Sequence, residues 1–513
     1  MFPKTSITGI KDGNREIEIL LYSQAPVSIP PYYISKTYVL TPFIAPVRIT
    51  EPVRNKKSEP ESMATREDTM SFLLYSTESE CHLIPWDDGV QPSIKDTSES
   101  YNIWSKNLPS HEHLMSSDTF DRISRILIGE SKIVVLEPQQ LWKDSRQFIE
   151  KHVEFSEPVH YVIYTAWVFG TYFYYAYDAY PYLHFFGPSD SGKSRALETG
   201  CALAFHGEKV DDASISALFR EMKSLGYSCF LDEKEWLYSP KENPDMVQFL
   251  NSGYRKGGRI KRCNVNDPDK VENFPSYTPK AIASINDLYP VLRSRCIQMI
   301  MSRSLRHAWP AISEEEANEL RQKLFMLRVI HGRVVAAEIP QTIIPEDWGL
   351  RSRESELFLP IYHMVTKFGA PDDLDTLKSF LSSYISRRRA DLRNEIDTTV
   401  IPILNGKLGT NEVKFILVRD IKEQVLRNEG AYKVVGEGGR EREILDANRE
   451  TTKTYTDQKI GYALKRYGFE KKKKEQGNGY LIERKKLDKA AFSLGLAKEG
   501  IDGKVVFLAE EGD

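Results

Sequence analysis

Residues Phe185–Ser194 read FFGPSDSGKS. Gly187, Gly192, Lys193 and Ser194 stand at the spacing of a phosphate-binding loop. In such a loop glycines let backbone N–H groups wrap an anion, while the lysine reaches the outer phosphates and the hydroxyl a magnesium ion. Pro188, Ser189, Asp190 and Ser191 complete the wrap. The flanks agree. Tyr182–Phe186 (YLHFF) predicts a strand, and Arg195–Phe205 (RALETGCALAF) predicts a helix whose N-terminus faces the phosphates. A glycine-rich surface turn would require neither.

Working outward, 513 residues are too many for one core, so several domains are expected, and 41% apolar content is ordinary for globular protein. A formal net charge of −3 selects no partner; its distribution says more. Cys81, Cys201, Cys229, Cys263 and Cys296 form no CxxC pair and no cysteine–histidine cluster, which predicts a reducing cytoplasm and no metal beyond magnesium. The N-terminus, MFPKTSITGIKDGNREIEILL, has charges where a signal peptide has its apolar core. Val159–Tyr177 (VHYVIYTAWVFGTYFYYAY) lacks Asp, Glu, Lys and Arg and could be taken for a membrane span. Its six tyrosines, and its place just ahead of the phosphate-loop strand, predict instead a buried helix packed on the nucleotide domain, and no membrane.

Composition and periodicity divide the chain into a small β-rich N-terminal domain (1–110), a helical segment (111–180) and a core of alternating strands and helices (181–303). A helical lid and connector (304–400) and a basic α+β module (401–513) follow. The core alternation is that of a parallel α/β sheet.

Behind the phosphate loop, Tyr227–Glu233 (YSCFLDE) is an apolar strand ending in two carboxylates. Asp232 is suited to hold magnesium together with Ser194, and Glu233 to orient and polarise the attacking water. Lys280–Ile285 (KAIASI) predicts a further strand ending at Asn286, an amide able to bond a γ-phosphate or the water. Leu292–Met299 (LRSRCIQM) offers Arg293 and Arg295. An arginine there can serve a neighbouring copy's γ-phosphate.

Phosphate loop, LDE, LNSGYRKGG, PKAIASIN and LRSRCIQMIMSR, in that order, resemble AAA+ ATPases, in particular the MCM-like and DUF3631-type helicase domains of plasmids, phages and other mobile elements. The likeness covers about residues 155–365, and a winged-helix tail also fits; residues 1–110 have no counterpart. The resemblance implies an α/β fold: an AAA+ P-loop parallel sheet with a helical lid and a C-terminal winged-helix domain. It implies ATP and Mg2+ at Lys193, Ser194, Asp232 and Glu233, a sensor at Asn286, and a homo-hexamer with a trans-acting arginine. That arginine is matched best by Arg295, in an SRC triplet, with Arg293 as the alternative. A lid sensor falls in Gly349–Pro360 (GLRSRESELFLP), at Arg353 or, in reserve, Arg351.

Two basic stretches point to nucleic acid. Leu250–Arg262 holds Arg255, Lys256, Arg259, Lys261 and Arg262 without an acid, and Gly257–Gly258 reads as a tight turn, so a basic loop is expected to project from the core. Tyr455–Phe469 places Ile460, Ala463, Leu464 and Tyr467 at helical spacing and leaves Lys459, Lys465 and Arg466 outward; a two-stranded wing follows, carrying Lys471, Lys472, Lys473 and Lys474, with its tip at Gly477–Asn478–Gly479. From Thr452 to Lys486 there are 11 Lys plus Arg against 4 Asp plus Glu. Helix then wing with this charge is a winged helix-turn-helix pattern.

The function expected is an ATP-driven helicase or translocase acting on single- and double-stranded DNA in replication initiation of a mobile element or virus. The alternative is an ATP-switched DNA-binding initiator or regulator that does not unwind. A small-molecule kinase or a membrane-tethered NTPase has no use for the basic module. No spaced acid or histidine cluster marks a primase or nuclease centre, so a primase, where needed, is a separate protein.

Overall fold

The computed structural model describes residues 5–12, 15–21, 27–29, 32–53, 62–78, 81–85, 101–103, 114–127, 136–210, 226–232, 244–263, 271–304, 308–391, 395–428, 431–435, 442–445, 456–475, 477–494, 496–499 and 505–507. Contacts divide the chain into two units, Met1–Ser382 and Ser383–Asp513.

In the first unit, short runs that are mostly apolar build a parallel sheet whose inner strands are buried on both faces, with the polar Gly207–Lys209 at one edge. Its members are β1 (Tyr182–Phe186), β2 (Gly207–Lys209), β3 (Ser228–Leu231), β6 (Lys280–Ser284) and β7 (Cys296–Ile300). Between β3 and β6 the chain forms an antiparallel hairpin of β4 (Arg259–Cys263) and β5 (Val271–Pro275). The sheet order is β7-β1-β6-β3-β2. Phe186 lies opposite both Ser284 and Ile300, and Leu231 opposite Ile282, so β1, β3, β6 and β7 end at one edge. The chain crosses β1 between β6 and β7, and ligands of such sheets bind outside the strand ends where the order reverses.

Helices α1 (Pro138–His152), α2 (Val159–Thr171) and α3 (Lys193–Leu203) flank this edge. The aromatic segment is α2 followed by a short 3-10 turn, and every α2 residue except Tyr161 is buried. The polar tips in and around it are satisfied internally. Tyr172 donates to Leu203 O at 2.9 Å, Tyr180 to Trp167 O at 2.6 Å, and the Trp167 indole to Pro181 O at 2.8 Å. Among the described residues no helix is long and apolar enough to cross a membrane.

Helix α4 (Pro244–Ser252) precedes the hairpin; α5 (Glu314–Glu338) and α6 (Ser352–Phe368) follow β7. Ser313 caps α5 by accepting from Glu316 N, with three glutamates in the first turn complementing the helix dipole. From α5 the buried Arg328 donates to Tyr172 O, Tyr32 O (2.7 Å), Leu40 O (3.1 Å) and Thr41 Oγ1 (3.3 Å). A guanidinium so fully satisfied ties residues 32–41 of the N-terminal part into the same core.

The second unit includes α7 (Glu395–Leu408), β8 (Val413–Leu417), α8 (Val418–Asn428), α9 (Asp457–Arg466), β9 (Glu470–Lys474), β10 (Gly477–Glu483) and α10 (Arg484–Leu494), with an antiparallel strand pair, Tyr432–Val435 and Arg442–Leu445, between α8 and α9. Its three-stranded antiparallel sheet has the order β8-β10-β9, over a core that includes Leu404, Ile421, Val425, Ile460, Leu464, Ile482 and Leu487. Lys474 pairs with Gly477, so the hairpin turns earlier than the expected Gly477–Gly479 tip. Gly479 serves close approach instead: it lies opposite Leu417, and a Cβ there would sit 2.5 Å from Ile416 O and 2.6 Å from the Phe415 ring.

Candidate functional site

The phosphate loop lies between β1 and α3 as the motif requires. A Cβ at Gly187 would stand 2.3 Å from Met301 O, so only glycine fits where the strand end passes the chain leaving β7. Gly192, at φ 82°, caps α3, and Asp190 also sits in the left-handed region at φ 61°. Lys193 is buried and its Nζ donates to Pro188 O at 2.7 Å, folded over the loop. Ser194 Oγ donates to Asp232 Oδ1 at 3.1 Å. These two oxygens come from α3, which follows β1, and from just past the end of β3, and β6 lies between β1 and β3 in the sheet. Adjacent ligands of an octahedral magnesium, each about 2.1 Å from the ion, lie about 3.0 Å apart, so the pair is spaced for one Mg2+ completed by phosphate and water. Glu233 lies outside the described residues.

One cation stands at this pair and two more beside the loop, with no sequence motif to announce them. Lys209, at the end of β2, lies 3.8 Å from Asp232 Oδ2 and 3.8 Å from Glu198 Oε1. Arg303, just past β7, donates to Ser189 O at 3.3 Å. Arg195, next to the motif, donates to His152 O at 2.9 Å and to Pro310 O. A single basic residue at a strand end carries no signal until the strand order brings it to the loop.

Asn286 follows β6, the strand between loop and Asp232, and is solvent-exposed. A buried relay holds its backbone. Burial lowers the His184 pKa to about 4, so the imidazole is neutral. His184 Nε2–H donates to Ser284 Oγ at 2.7 Å, and the Ser284 hydroxyl donates to Asn286 O at 2.7 Å.

The arginines separate cleanly. Arg293 is ion-paired with Asp287, which also accepts from Leu288 N. Arg295 sits at the opposite edge of the sheet from the loop: its carbonyl accepts from Tyr182 N at the start of β1, and its guanidinium bonds Val291 O. Five strand residues, about 16 Å, lie between it and the loop, beyond side-chain reach. Arg353 does not face the loop either. Its guanidinium stacks over Tyr254 at 4.8 Å and bonds Glu356 at 2.8 Å, and the Tyr254 ring packs against Tyr182 at 6.1 Å. It therefore stands on the Arg295 edge, where the strands begin, because α6 is docked on the turn after α4. Arg351 contributes its backbone N–H to Glu354 at 2.9 Å.

The basic stretch from 250 to 262 is three elements rather than one loop. Leu250–Ser252 ends α4, Gly257 (φ 85°) closes a turn, and β4 begins at Arg259; residues 264–270, between β4 and β5, lie outside the described residues. Its cations divide accordingly. Arg255 pairs with Glu356, Arg262 with Asp245 at 2.6 Å, and Lys256 lies over the Tyr175 ring at 4.5 Å. Arg259 and Lys261 are exposed on one face of β4, with Ile260 buried between them. Period-two alternation aims this pair outward.

In the second unit Thr456 caps α9, and Ile460, Ala463 and Leu464 are buried as the spacing predicted. Lys459, Lys465 and Arg466 on α9 are exposed, as is all of β9, Lys471 to Lys474 included. Lys472 lies 3.5 Å from Glu470 and Lys474 over the Phe415 ring at 4.5 Å. Lys465 and Lys471 join Arg419 and the exposed Tyr462 around a groove of about 610 Å³ between α9 and the hairpin.

No family model and no curated protein matches the chain. Among solved structures it is similar to the SCCmec type IV Cch active helicase, with 11% identity over 91% of this chain and 99% of that chain at a TM-score of 0.34. It is also similar to a JCV helicase with a bound small molecule, with 13% identity over 56% of this chain and 71% of that chain at a TM-score of 0.22. Superpositions this loose carry no argument about this chain, whose reading stands on its own geometry.

Proposed function

We propose that this chain is an ATP-driven DNA helicase or translocase of the AAA+ MCM-like type, acting in replication initiation of a mobile element or virus. The observation that carries the reading is the Ser194–Asp232 contact at 3.1 Å, which joins the phosphate-loop helix to the end of β3 with magnesium spacing. Lys193 would neutralise the outer phosphates, Ser194 and Asp232 hold Mg2+, Glu233 orient the water, and Asn286 report on the γ-phosphate.

Supporting the motor reading is the β4–β5 hairpin, inserted between the strand bearing Asp232 and the strand ending at Asn286, with Arg259 and Lys261 outward. Whatever moves those strand ends with nucleotide state moves the hairpin, and its cations can track a phosphate backbone. Arg295 and Arg353 share the edge remote from their own loop, which suits both to a neighbouring copy's nucleotide in a homo-hexamer. In the second unit helix, strand and helix are followed by the strand pair Tyr432–Val435 and Arg442–Leu445, then α9 and the β9–β10 hairpin; this order supports reading the unit as a winged helix carrying an inserted strand pair, with α9 as the DNA-reading helix and Lys471–Lys474 on the wing.

The test is ATP hydrolysis with and without single-stranded DNA, for the native chain, Lys193→Ala and Arg295→Ala. DNA should stimulate the native chain, and each variant alone should be inactive. Mixing the two should restore part of the turnover, because some seams then pair an intact loop with an intact arginine. No rescue at any ratio counts against a shared site, and hydrolysis without strand displacement on a forked substrate would favour the switch over the motor.

A further inference from the structure

The second unit holds, among the described residues, a cleft of about 610 Å³ between α9 and the β9–β10 hairpin, within the roughly 300–1,000 Å³ of ordinary ligand sites. Its floor is fixed. Tyr480 of β10, itself buried, donates to Gly461 O in α9 at 3.0 Å, and a Cβ at position 461 would lie 3.3 Å from the Tyr480 hydroxyl, so glycine there lets helix and hairpin close on each other. Gln458, Tyr462 and Lys465 recur at helical spacing along one wall. Lys471 and Asn478 come from the hairpin, and Arg419 from the first turn of α8. Lys471 lies opposite Tyr480 in the hairpin register and so shares the side that faces α9.

Two properties of the cleft select its occupant. The first is charge. Arg419, Lys465 and Lys471 line it, and the one acid among its described lining residues, Asp457, is already paired with Lys422 at 2.9 Å. A phosphate backbone complements that lining. The second is Tyr462, which is 61% exposed on α9 while Ile460, Ala463 and Leu464 of the same helix are buried. Paired bases keep their faces inside the duplex stack and show only their edges in the grooves, so a free ring among phosphate-binding cations is matched by a base that is not paired. Gln458 and Asn478 add amides able to bond the edge of such a base.

We infer that the cleft between α9 and the hairpin holds an unpaired stretch of DNA, with one base stacked on Tyr462 and the flanking phosphates on Arg419, Lys465 and Lys471. The inference deepens the DNA-binding reading of the second unit and rests on it. It is tested on the full chain by equilibrium binding of a single-stranded oligonucleotide, and of the blunt duplex of the same sequence, with Tyr462 intact, Tyr462→Ala or Tyr462→Phe. All three proteins carry Arg259→Ala and Lys261→Ala, so that the outward cations of the first unit do not mask the second. The ratio of single-strand to duplex affinity should fall about tenfold in Tyr462→Ala and hold in Tyr462→Phe, because stacking needs the ring and not the hydroxyl. An oligothymidylate carrying 2-aminopurine gives a second readout, since its emission falls on stacking: the proteins with Tyr462 or Phe should quench it more than Tyr462→Ala does.

Equal weakening of single strand and duplex in Tyr462→Ala would set the ring against paired DNA, and a loss in Tyr462→Phe as large as in Tyr462→Ala would make the hydroxyl the contact; either overturns the inference. So does an unchanged affinity ratio in Tyr462→Ala, or quenching of 2-aminopurine that is the same in all three proteins. Binding of neither single strand nor duplex with Tyr462 intact would refute the DNA-binding reading of the second unit itself. That result is distinguishable from failure of the stacking assignment alone, in which duplex binding survives.

Discussion

Lowering the pH should loosen the first unit through His184, and replacing that residue should remove the effect. His184 lies within the parallel sheet, fully buried, with a pKa brought down to about 4 by burial. In the unfolded chain a histidine titrates near 6.5. Between pH 6.5 and 4 the unfolded state therefore binds more protons than the folded one, so stability is complete above 6.5 and is lost as pH falls through this window. The full loss is about 3 kcal/mol, and at pH 5 about 2 kcal/mol has already gone. All 7 tryptophans precede Ser383, so urea unfolding followed by intrinsic fluorescence reports the first unit alone. His184→Asn keeps a neutral donor toward Ser284. The native protein should lose about 2 kcal/mol more than this variant between pH 8 and pH 5. His152, His331 and His363 also have lowered values, through burial first, but they are common to both proteins and cancel in the difference. Equal losses in the two proteins would refute a neutral, buried His184, and with it the direction of the bonds that hold Asn286.

Two further outcomes follow from the geometry. Gly187→Ala drives a methyl to 2.3 Å from the Met301 carbonyl, so it should cost about 1–3 kcal/mol by the same fluorescence assay and weaken ATP binding, whereas Gly257→Ala, with open space around its φ of 85°, should cost only about 1 kcal/mol and leave ATP binding unchanged. Substituting Lys471, Lys472, Lys473 and Lys474 together by alanine should lower the salt dependence of duplex DNA binding, measured as log K against log salt, by about 2 rather than about 4, because Lys472 is held toward Glu470 and Lys474 over Phe415. An unchanged slope would remove β9 from the DNA interface.

Much of the nucleotide site was legible because its chemistry is local. A loop of given spacing between a strand and a helix, an apolar run closing on Asp232, and a strand before Asn286 are each readable within a dozen residues. The basic stretch was less legible. Gly257–Gly258 reads as a tight turn and Gly257 does close one, but the turn leads into β4 rather than forming part of one projecting loop, and Glu356 and Asp245 claim Arg255 and Arg262. Gly477–Asn478–Gly479 misled for a related reason: glycine answers both to a turn and to a close backbone approach, and only the neighbour across the sheet tells which.

By itself, the order of residues determined that a glycine-rich loop with phosphate-loop spacing sits between β1 and α3, that an apolar strand closes on Asp232, and that α9 presents cations over an apolar face. Periodicity and motif spacing are properties of one segment at a time. Only the tertiary structure decided which residues of distant segments meet. The order β7-β1-β6-β3-β2 sets Asp232 and Asn286 beside the loop while sending Arg295 and Arg353 to the far edge, and the packing of α1 against α3 gives Arg195 its hold on His152. Such meetings depend on strand order and helix docking, which arise from burying every apolar face at once, and no single stretch of sequence contains that information.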